Sequence, residues 1–209
     1  LARADIWSYE ESGVIHFTNI PPSGQNAHNW RVEWKSGPGK AAVISGTAGA
    51  AGCEHSRADV VPSRDISPER YSRYDAMILE AATAYALPEA LLRAVMHVES
   101  DYDPRVVSCA GARGLMQLMP DVASEQRVSD VFDPRQNILG GARLLRQLAN
   151  RFRGDLVLTI AGYHAGPGAV QKYGGVPPYE TTQRYVYAVL ERYQHYKANA
   201  HATGSVPTH

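Results

Sequence analysis

The sequence predicts a mainly α-helical protein: a helical domain over residues 67–198, preceded by a small β-hairpin module. Three observations carry this. Apolar residues recur at helical spacing from Tyr71 to Tyr196. Proline stands at or next to the start of several periodic stretches, as in Ser67-Pro68, Pro88-Glu89 and Asp133-Pro134. Strand-like patterning is confined to the first 34 residues.

In chain order, Leu1-Ala2-Arg3-Ala4 ends in an Ala-x-Ala pattern before Asp5, like the tail of a secretory signal. Ile6-Trp7-Ser8-Tyr9 and Val14-Ile15-His16-Phe17 flank Glu10-Glu11-Ser12-Gly13, which reads as a hairpin. Trp30–Trp34 alternates apolar and polar residues and suits a third strand. Residues 35–66, rich in Gly, Ala, Ser and Pro, read as a linker. A helix is expected from Ser67 as N-cap, with Tyr71, Tyr74, Ile78, Ala81, Ala82 and Tyr85 along it. A second starts at Pro88-Glu89 and places Leu91, Leu92, Val95, Met96 and Glu99 on one face. A third starts at Asp133-Pro134, with Ile138, Ala142, Leu145, Ala149 and Phe152. Asp155 caps a fourth towards Ala161, and Gly162 to Gly168 is expected to break the pattern. The last helix carries Tyr185, Val189, Tyr193 and Tyr196, and residues 199–209 read as a flexible tail.

Composition excludes several classes. Hydrophobic residues make up 44% of the 209 positions, enough for a core. Lys+Arg and Asp+Glu both number 21, so no nucleic-acid partner is expected. No uncharged apolar run approaches the roughly 18 residues of a membrane span. His97-Val98-Glu99 fits the H-x-E start of zinc deaminases, but the required P-C-x-x-C is missing. Neither a metal nor any other cofactor is expected. His97 falls one residue off the apolar stripe and reads as a surface residue near Arg93.

Glu99 is the candidate catalytic residue. It continues the apolar stripe of its helix, and an unpaired buried charge is costly. Desolvation favours the protonated acid, which is what a general acid needs. On these residues alone, a glutamate at a helix end turned to solvent or paired with arginine stays open as the plainer reading. The Ser108–Pro120 segment that follows has glycines at 111 and 114, which let backbone approach a ligand, and Gln117 offers donors and acceptors.

Val98-Glu99-Ser100, then Ser108-x-x-Gly111-x-x-Gly114-Leu115-Met116-Gln117-Leu118-Met119-Pro120, resembles the soluble lytic transglycosylase family. Asp133-Pro134-x-x-Asn137-Ile138-x-x-Gly141 is similar to its next motif. Ala161-Gly162-Tyr163-His164-Ala165-Gly166-Pro167-Gly168-Ala169-Val170 resembles the third, and Pro178-Tyr179 through Arg184-Tyr185-Val186 the fourth. The resemblance implies a lysozyme-like helical fold with Glu99 as acid, then base. It implies that Ser100, Met116, Gln117 and Tyr163 line a substrate groove, and that Tyr185 reaches towards Glu99; His164 is read from its own chemistry as a polar residue of that groove, with a plain surface substitution as the alternative. The implied substrate is peptidoglycan, cut at its β-1,4 bonds to leave 1,6-anhydromuramic acid ends. One carboxylate then suffices, because the substrate's C6 hydroxyl replaces a second one. Asp101 and Asp103, near the helix end, are expected to face solvent.

Two positions depart from the family pattern. His164 stands where the family carries Asn, and Thr181 where it carries Glu before the threonine of the fourth motif. Two alternatives stay open: a hydrolytic lysozyme on the same fold, with water in place of the C6 hydroxyl, and, because of these departures, a non-catalytic glycan-binding component of an envelope machine. The N-terminal stretch Trp7 to Pro22 resembles a small module of exported bacterial proteins. Localisation is expected in the bacterial envelope, with an envelope-spanning secretion or pilus machine as a candidate partner. Export to an oxidising compartment leads to the expectation that Cys53 and Cys109 pair.

Overall fold

The computed structural model describes residues 67–203 and the backbone of residues 6–11, 14–18 and 31–34. The described part is mainly helical. Extended backbone occurs at β1 (Ile6–Glu11), β2 (Val14–Thr18) and β3 (Arg31–Trp34). Seven α-helices follow: α1 (Asp75–Tyr85), α2 (Glu89–Ser100), α3 (Pro120–Glu125), α4 (Pro134–Arg151), α5 (Leu156–Ala165), α6 (Pro167–Tyr173) and α7 (Glu180–Thr203).

α2 is the central element. Leu91, Leu92, Ala94, Val95, Met96 and Val98 are all buried on it, so nearly its whole circumference is covered. A helix covered on most of its faces lies inside its domain, although Glu89, Arg93 and His97 interrupt its apolar surface. α7 packs along it most extensively, while α4 packs on α1 and on α5, which in turn meets α6 and α7. The shared core joins Leu92 and Met96 of α2 to Ile138 and Leu145 of α4, Ile160 of α5, and Tyr185 and Val189 of α7.

Local chemistry explains several helix ends. Asp133 and Asp155 cap α4 and α5 by accepting from the backbone N–H of Gln136 and Leu158, at 2.7 and 2.9 Å. The C-terminal turn of α1 ends on Ala86 in the left-handed region (φ 49°). Its carbonyls are satisfied from α4, where Arg146 donates Nε–H to the Tyr85 carbonyl at 2.6 Å and a second N–H to that of Ala86. A cation at that helix end also opposes the helix dipole.

Three boundaries differ from the sequence reading. Ser67 makes no side-chain cap; Pro68–Tyr71 is a single 3₁₀ turn, and α1 starts only at Asp75. Gly162 does not break α5. It lies inside the helix, where a Cβ would come within 2.7 Å of the Phe152 ring, so the glycine serves close packing. The break falls at Gly166, at φ 81°. The last helix runs through Thr203, past the expected start of the tail at 199; residues 204–209 lie outside the described residues. The proposed linker over 35–66 and residues 1–4 also lie outside them.

Gly141 faces the Met116 side chain, and a Cβ there would stand 2.8 Å from Met116 Cβ. Because that atom is tied to backbone, it cannot swing away. Gly141→Ala is expected to lower stability by about 1–3 kcal/mol through overpacking. Urea unfolding measures this, and an unchanged midpoint would contradict the packing.

Candidate active site

Glu99 lies on the last turn of α2 and is 3% exposed. Its carboxyl Oε1 accepts a hydrogen bond of 2.7 Å from the hydroxyl of Tyr185, itself fully buried on α7. The acid and the tyrosine are 86 residues apart in sequence. Helical periodicity puts each on the inner face of its own helix, and the α2–α7 packing brings them together.

Immediately after Glu99 the chain turns sharply. Asp101 and Tyr102 both take left-handed backbone, at φ 48° and 65°. Consecutive non-glycine residues in that region cost energy that the surroundings must offset. Their side chains are held firmly. Asp101 accepts from Arg70 at 2.9 Å and from the Tyr71 hydroxyl at 3.2 Å. The Tyr102 hydroxyl lies 3.3 Å from both the Arg93 carbonyl and the Tyr196 hydroxyl. Thus Asp101 does not face solvent as expected. Asp103 is equally buried and accepts from the Arg105 backbone N–H at 2.9 Å. Both aspartates stabilise the turn that ends α2.

His97 also departs from its surface assignment. Its ring stacks on Tyr71 with centroids 5.3 Å apart, and Nδ1 lies 2.8 Å from the Tyr196 hydroxyl. Burial foremost, then the Arg192 cation, pushes its pKa down to about 4 despite nearby Asp101. The long α7 covers a face of α2 that the apolar stripe leaves out, and so buries His97 against Tyr196.

A loop over residues 106–119 forms the facing wall. Arg113 and Leu118 pair through reciprocal backbone hydrogen bonds of 3.0 Å. Met116 is held from both sides: its N–H donates to Asn137 Oδ1 at 2.7 Å, and its carbonyl accepts from Tyr163 at 2.8 Å. Asn137 also donates to the carbonyls of Arg113 and Val131, at 3.1 and 2.8 Å. Gln117, at φ 47°, folds its amide back onto the carbonyls of Gly114 and Val106, at 2.9 and 3.1 Å. The Ser100 hydroxyl lies 2.8 Å from the Leu115 carbonyl and joins the loop to α2.

A cleft of about 500 Å³ opens beside this wall. Ala110 and Met119 line one part of it, and His164, Tyr179, Thr181 and Thr182 another. Ser100, Met116 and Gln117, expected to line a groove, are buried and do not line this cleft. Their polar groups or backbone instead hold the loop in shape. Tyr163 is likewise nearly buried, and its hydroxyl is spent on Met116. His164 does line the cleft. Its Nδ1 is 3.1 Å from the Thr182 hydroxyl, and its ring lies 4.6 Å from that of Tyr185. The structure therefore links cleft, His164, Tyr185 and Glu99 in series. Sequence reasoning assigned no role to Asn137, Met119, Tyr179 or Thr182. A polar Asn137 beside buried Ile138 was the available signal for the first of these.

Among the described residues, no group of three His, Cys, Asp or Glu side chains could hold a metal ion, and no helix is long and apolar enough to cross a membrane. Cys109 is a free, exposed thiol; its expected partner Cys53 lies outside the described residues.

Residues 76–185 match the model of the Transglycosylase SLT domain, and the chain belongs to that family. It is 44% identical over 86 residues to a transglycosylase of Enterobacteria phage PRD1, covering 41% of this chain and 32% of that one. It is 38% identical over 109 residues to membrane-bound lytic murein transglycosylase F 1 of Alkalilimnicola ehrlichii, covering 49% of this chain and 22% of the relative. Among solved structures, an inactive mutant of the lytic transglycosylase Slt from Pseudomonas aeruginosa superposes with a TM-score of 0.57 at 29% identity. That match covers 64% of this chain and 25% of the other. A complex of the 70-kDa soluble lytic transglycosylase with bulgecin A superposes with a TM-score of 0.58 at 26% identity, covering 65% and 25%. The chain thus matches a third or less of the length of these relatives.

Two outcomes follow from this geometry. Tyr185→Phe removes a hydrogen bond from a buried carboxyl and is expected to cost about 1–3 kcal/mol of stability, read by urea unfolding; no loss would deny the contact. For His97, the folded pKa of about 4 lies below the ordinary 6.5. The stability gained by keeping it neutral is full above pH 6.5 and is lost as pH falls towards 4. The melting temperature should fall across that window, and less steeply in His97→Gln. Parallel profiles for the two proteins would refute the assignment.

Proposed function

We propose that this domain is a peptidoglycan lytic transglycosylase. In this reading it cleaves the β-1,4 bond between N-acetylmuramic acid and N-acetylglucosamine, with Glu99 as the single acid and base. The observation that carries it is the buried Glu99 carboxyl, held at 2.7 Å by Tyr185 inside a domain of the SLT family. Burial disfavours a carboxylate's charge and so favours the proton-bearing form that an acid catalyst requires.

The chemistry balances with one carboxyl group. Glu99 gives its proton to the bridging oxygen, and the bond from that oxygen to C1 of the muramic sugar breaks. The resulting carboxylate takes the proton of the C6 hydroxyl as its oxygen bonds to C1. The product is a 1,6-anhydro sugar, and no water is consumed. The 2-acetamido group stabilises the charge that develops at C1. Support for a single acid comes from Asp101 and Asp103, the nearest carboxylates in sequence, whose oxygens serve Arg70, Tyr71 and the Arg105 N–H. Tyr185 orients Glu99, and His164 faces the glycan. Ser100, Met116, Gln117 and Tyr163 act on the glycan by shaping the loop wall.

Around this activity we propose that residues 1–34 form a separate module and 35–66 a linker. The antiparallel register of β1 with β2, Trp7 opposite Thr18 and Tyr9 opposite His16, supports a hairpin, with β3 on the other edge of β1. The names of the relatives support action on murein in the cell envelope, and an envelope-spanning secretion or pilus machine is the proposed setting.

Digestion of purified sacculi followed by mass spectrometry tests the reaction. Anhydro-ended muropeptides, lighter by one water than hydrolysis products, are expected. Reducing ends would make the protein a lysozyme, and no release at all would make it a glycan-binding component. Glu99→Gln should lower the rate by at least the ~10²–10⁴ of general acid catalysis while glycan binding survives; full activity in that variant would remove Glu99 from the mechanism.

A further inference from the structure

A second hollow adjoins the cleft. It encloses about 380 Å³, within the roughly 300–1,000 Å³ of small-ligand sites. Met119 lines the cleft and Pro120, the next residue, lines the hollow, so the two meet across one peptide unit of about 3.8 Å. The lining of the hollow carries one charge of each sign, Arg113 and Asp130, and an aromatic ring, Phe132. Phe132 is 41% exposed, so its ring has apolar area left to cover.

The backbone that carries these groups is fixed. Gln136 Oε1, on the first turn of α4, accepts from the N–H groups of Ser129 and Asp130 at 3.0 and 3.2 Å, and from the Ser129 hydroxyl at 2.8 Å. Asp130 Oδ1 accepts from the Phe132 N–H at 2.8 Å, and Asn137 holds the Val131 carbonyl. Across the hollow, the backbone of Arg113 is locked to Leu118 and Asn137. Its exposed side chain is engaged in none of this. Among the described residues, the ion pairs use Arg70, Arg93, His97 and Arg135.

We propose that this hollow is a subsite for the peptide that muramic acid carries, with Arg113 and Phe132 as its contacts. The inference rests on the transglycosylase reading and adds a second part of the same substrate. The muramic sugar bears its peptide on the lactyl group, so a sugar held in the cleft must lay that peptide on a neighbouring surface. Such a peptide carries carboxylates and, in its diamino residue, an ammonium group. Ala110, Met119, Tyr179, Thr181 and Thr182 of the cleft offer neither a cation nor a carboxylate to pair with them. The hollow offers both. The planar guanidinium of Arg113 suits a carboxylate, and the Asp130 side chain suits the ammonium group. The aliphatic part of the peptide covers the Phe132 ring. A ligand with charge of one sign only would leave one of the two side chains without a counterpart. Because the backbone is already fixed, little conformational freedom is lost on binding.

The experiment compares fluorescently labelled glycan strands in two forms, one with uncrosslinked peptides and one stripped of them by an amidase. Equilibrium binding is read by fluorescence anisotropy on the full chain carrying Glu99→Gln, so that no strand is cut. Circular dichroism checks that each variant is folded. The peptide-bearing strand is expected to bind more tightly. Arg113→Ala and Phe132→Ala should each lower the ratio of the two affinities about two- to fivefold, the range of a solvent-exposed contact. Arg113→Glu should lower it further. Arg151→Ala serves as the control for a general charge effect. It lies at the other end of α4, about 25 Å away, and should leave the ratio unchanged. Equal affinity of the parent for both strands overturns the proposal. So does a ratio unmoved by either Arg113→Ala or Phe132→Ala, or one that falls as far in Arg151→Ala. Binding of neither strand, or cleavage products of the unmodified chain without anhydro ends, would instead overturn the transglycosylase reading itself.

Discussion

The burial of one carboxyl group at the end of α2 is the constraint around which the domain is arranged. A glutamate 3% exposed needs a hydrogen-bond partner, and Tyr185 supplies one from α7. That partner exists only if α7 lies along α2 in one register. The register is set at two levels. Val186 and Val189 of α7 pack in the core with Val95 and Met96 of α2. Further along, Tyr196 meets His97 and Tyr102. The polar contacts at either end of this packing keep the hydroxyl of Tyr185 aimed at the acid.

A second arrangement shapes the opposite wall. The loop over residues 106–119 has little regular structure, so its polar backbone needs partners from elsewhere. Asn137, Tyr163 and Ser100 provide them from α4, α5 and α2. Gly114, at φ 75°, stands where a Cβ would come within 2.3 Å of the Val131 carbonyl, so a side chain is excluded by both conformation and space. Side chains that look available for binding in a linear reading are thereby used to build the loop. Gln117 is the clearest case: its amide donates to two carbonyls of its own loop. A wall of fixed shape loses little conformational freedom when a ligand arrives.

The turn behind Glu99 shows how charge is kept away from the acid. Asp101 lies two residues along the chain, yet its side chain is directed to Arg70 and Tyr71. The backbone is left-handed at both Asp101 and Tyr102, and their side chains meet Arg70, Tyr71, the Arg93 carbonyl and Tyr196. The cleft side is left with uncharged residues and His164.

The sequence by itself determined the helical class, the central stripe of α2 with Glu99 on it, and the caps at Asp133 and Asp155. These follow from periodicity and from hydrogen bonds between residues three or four apart, which a linear reading contains. The four spaced motifs also placed Glu99, Tyr163, His164 and Tyr185 in one family pattern before any coordinates. The tertiary structure alone decided which polar side chains face the cleft and which hold the fold. Ser100, Gln117, Asp101 and Asp103 spend their hydrogen bonds inside the domain, and His97 is covered by α7. Gly162 continues a helix because Phe152 leaves no room for a side chain there. Each of these depends on contacts between segments far apart in the chain. Burial and partner choice are set by the packing of elements against one another, and local spacing carries no record of that.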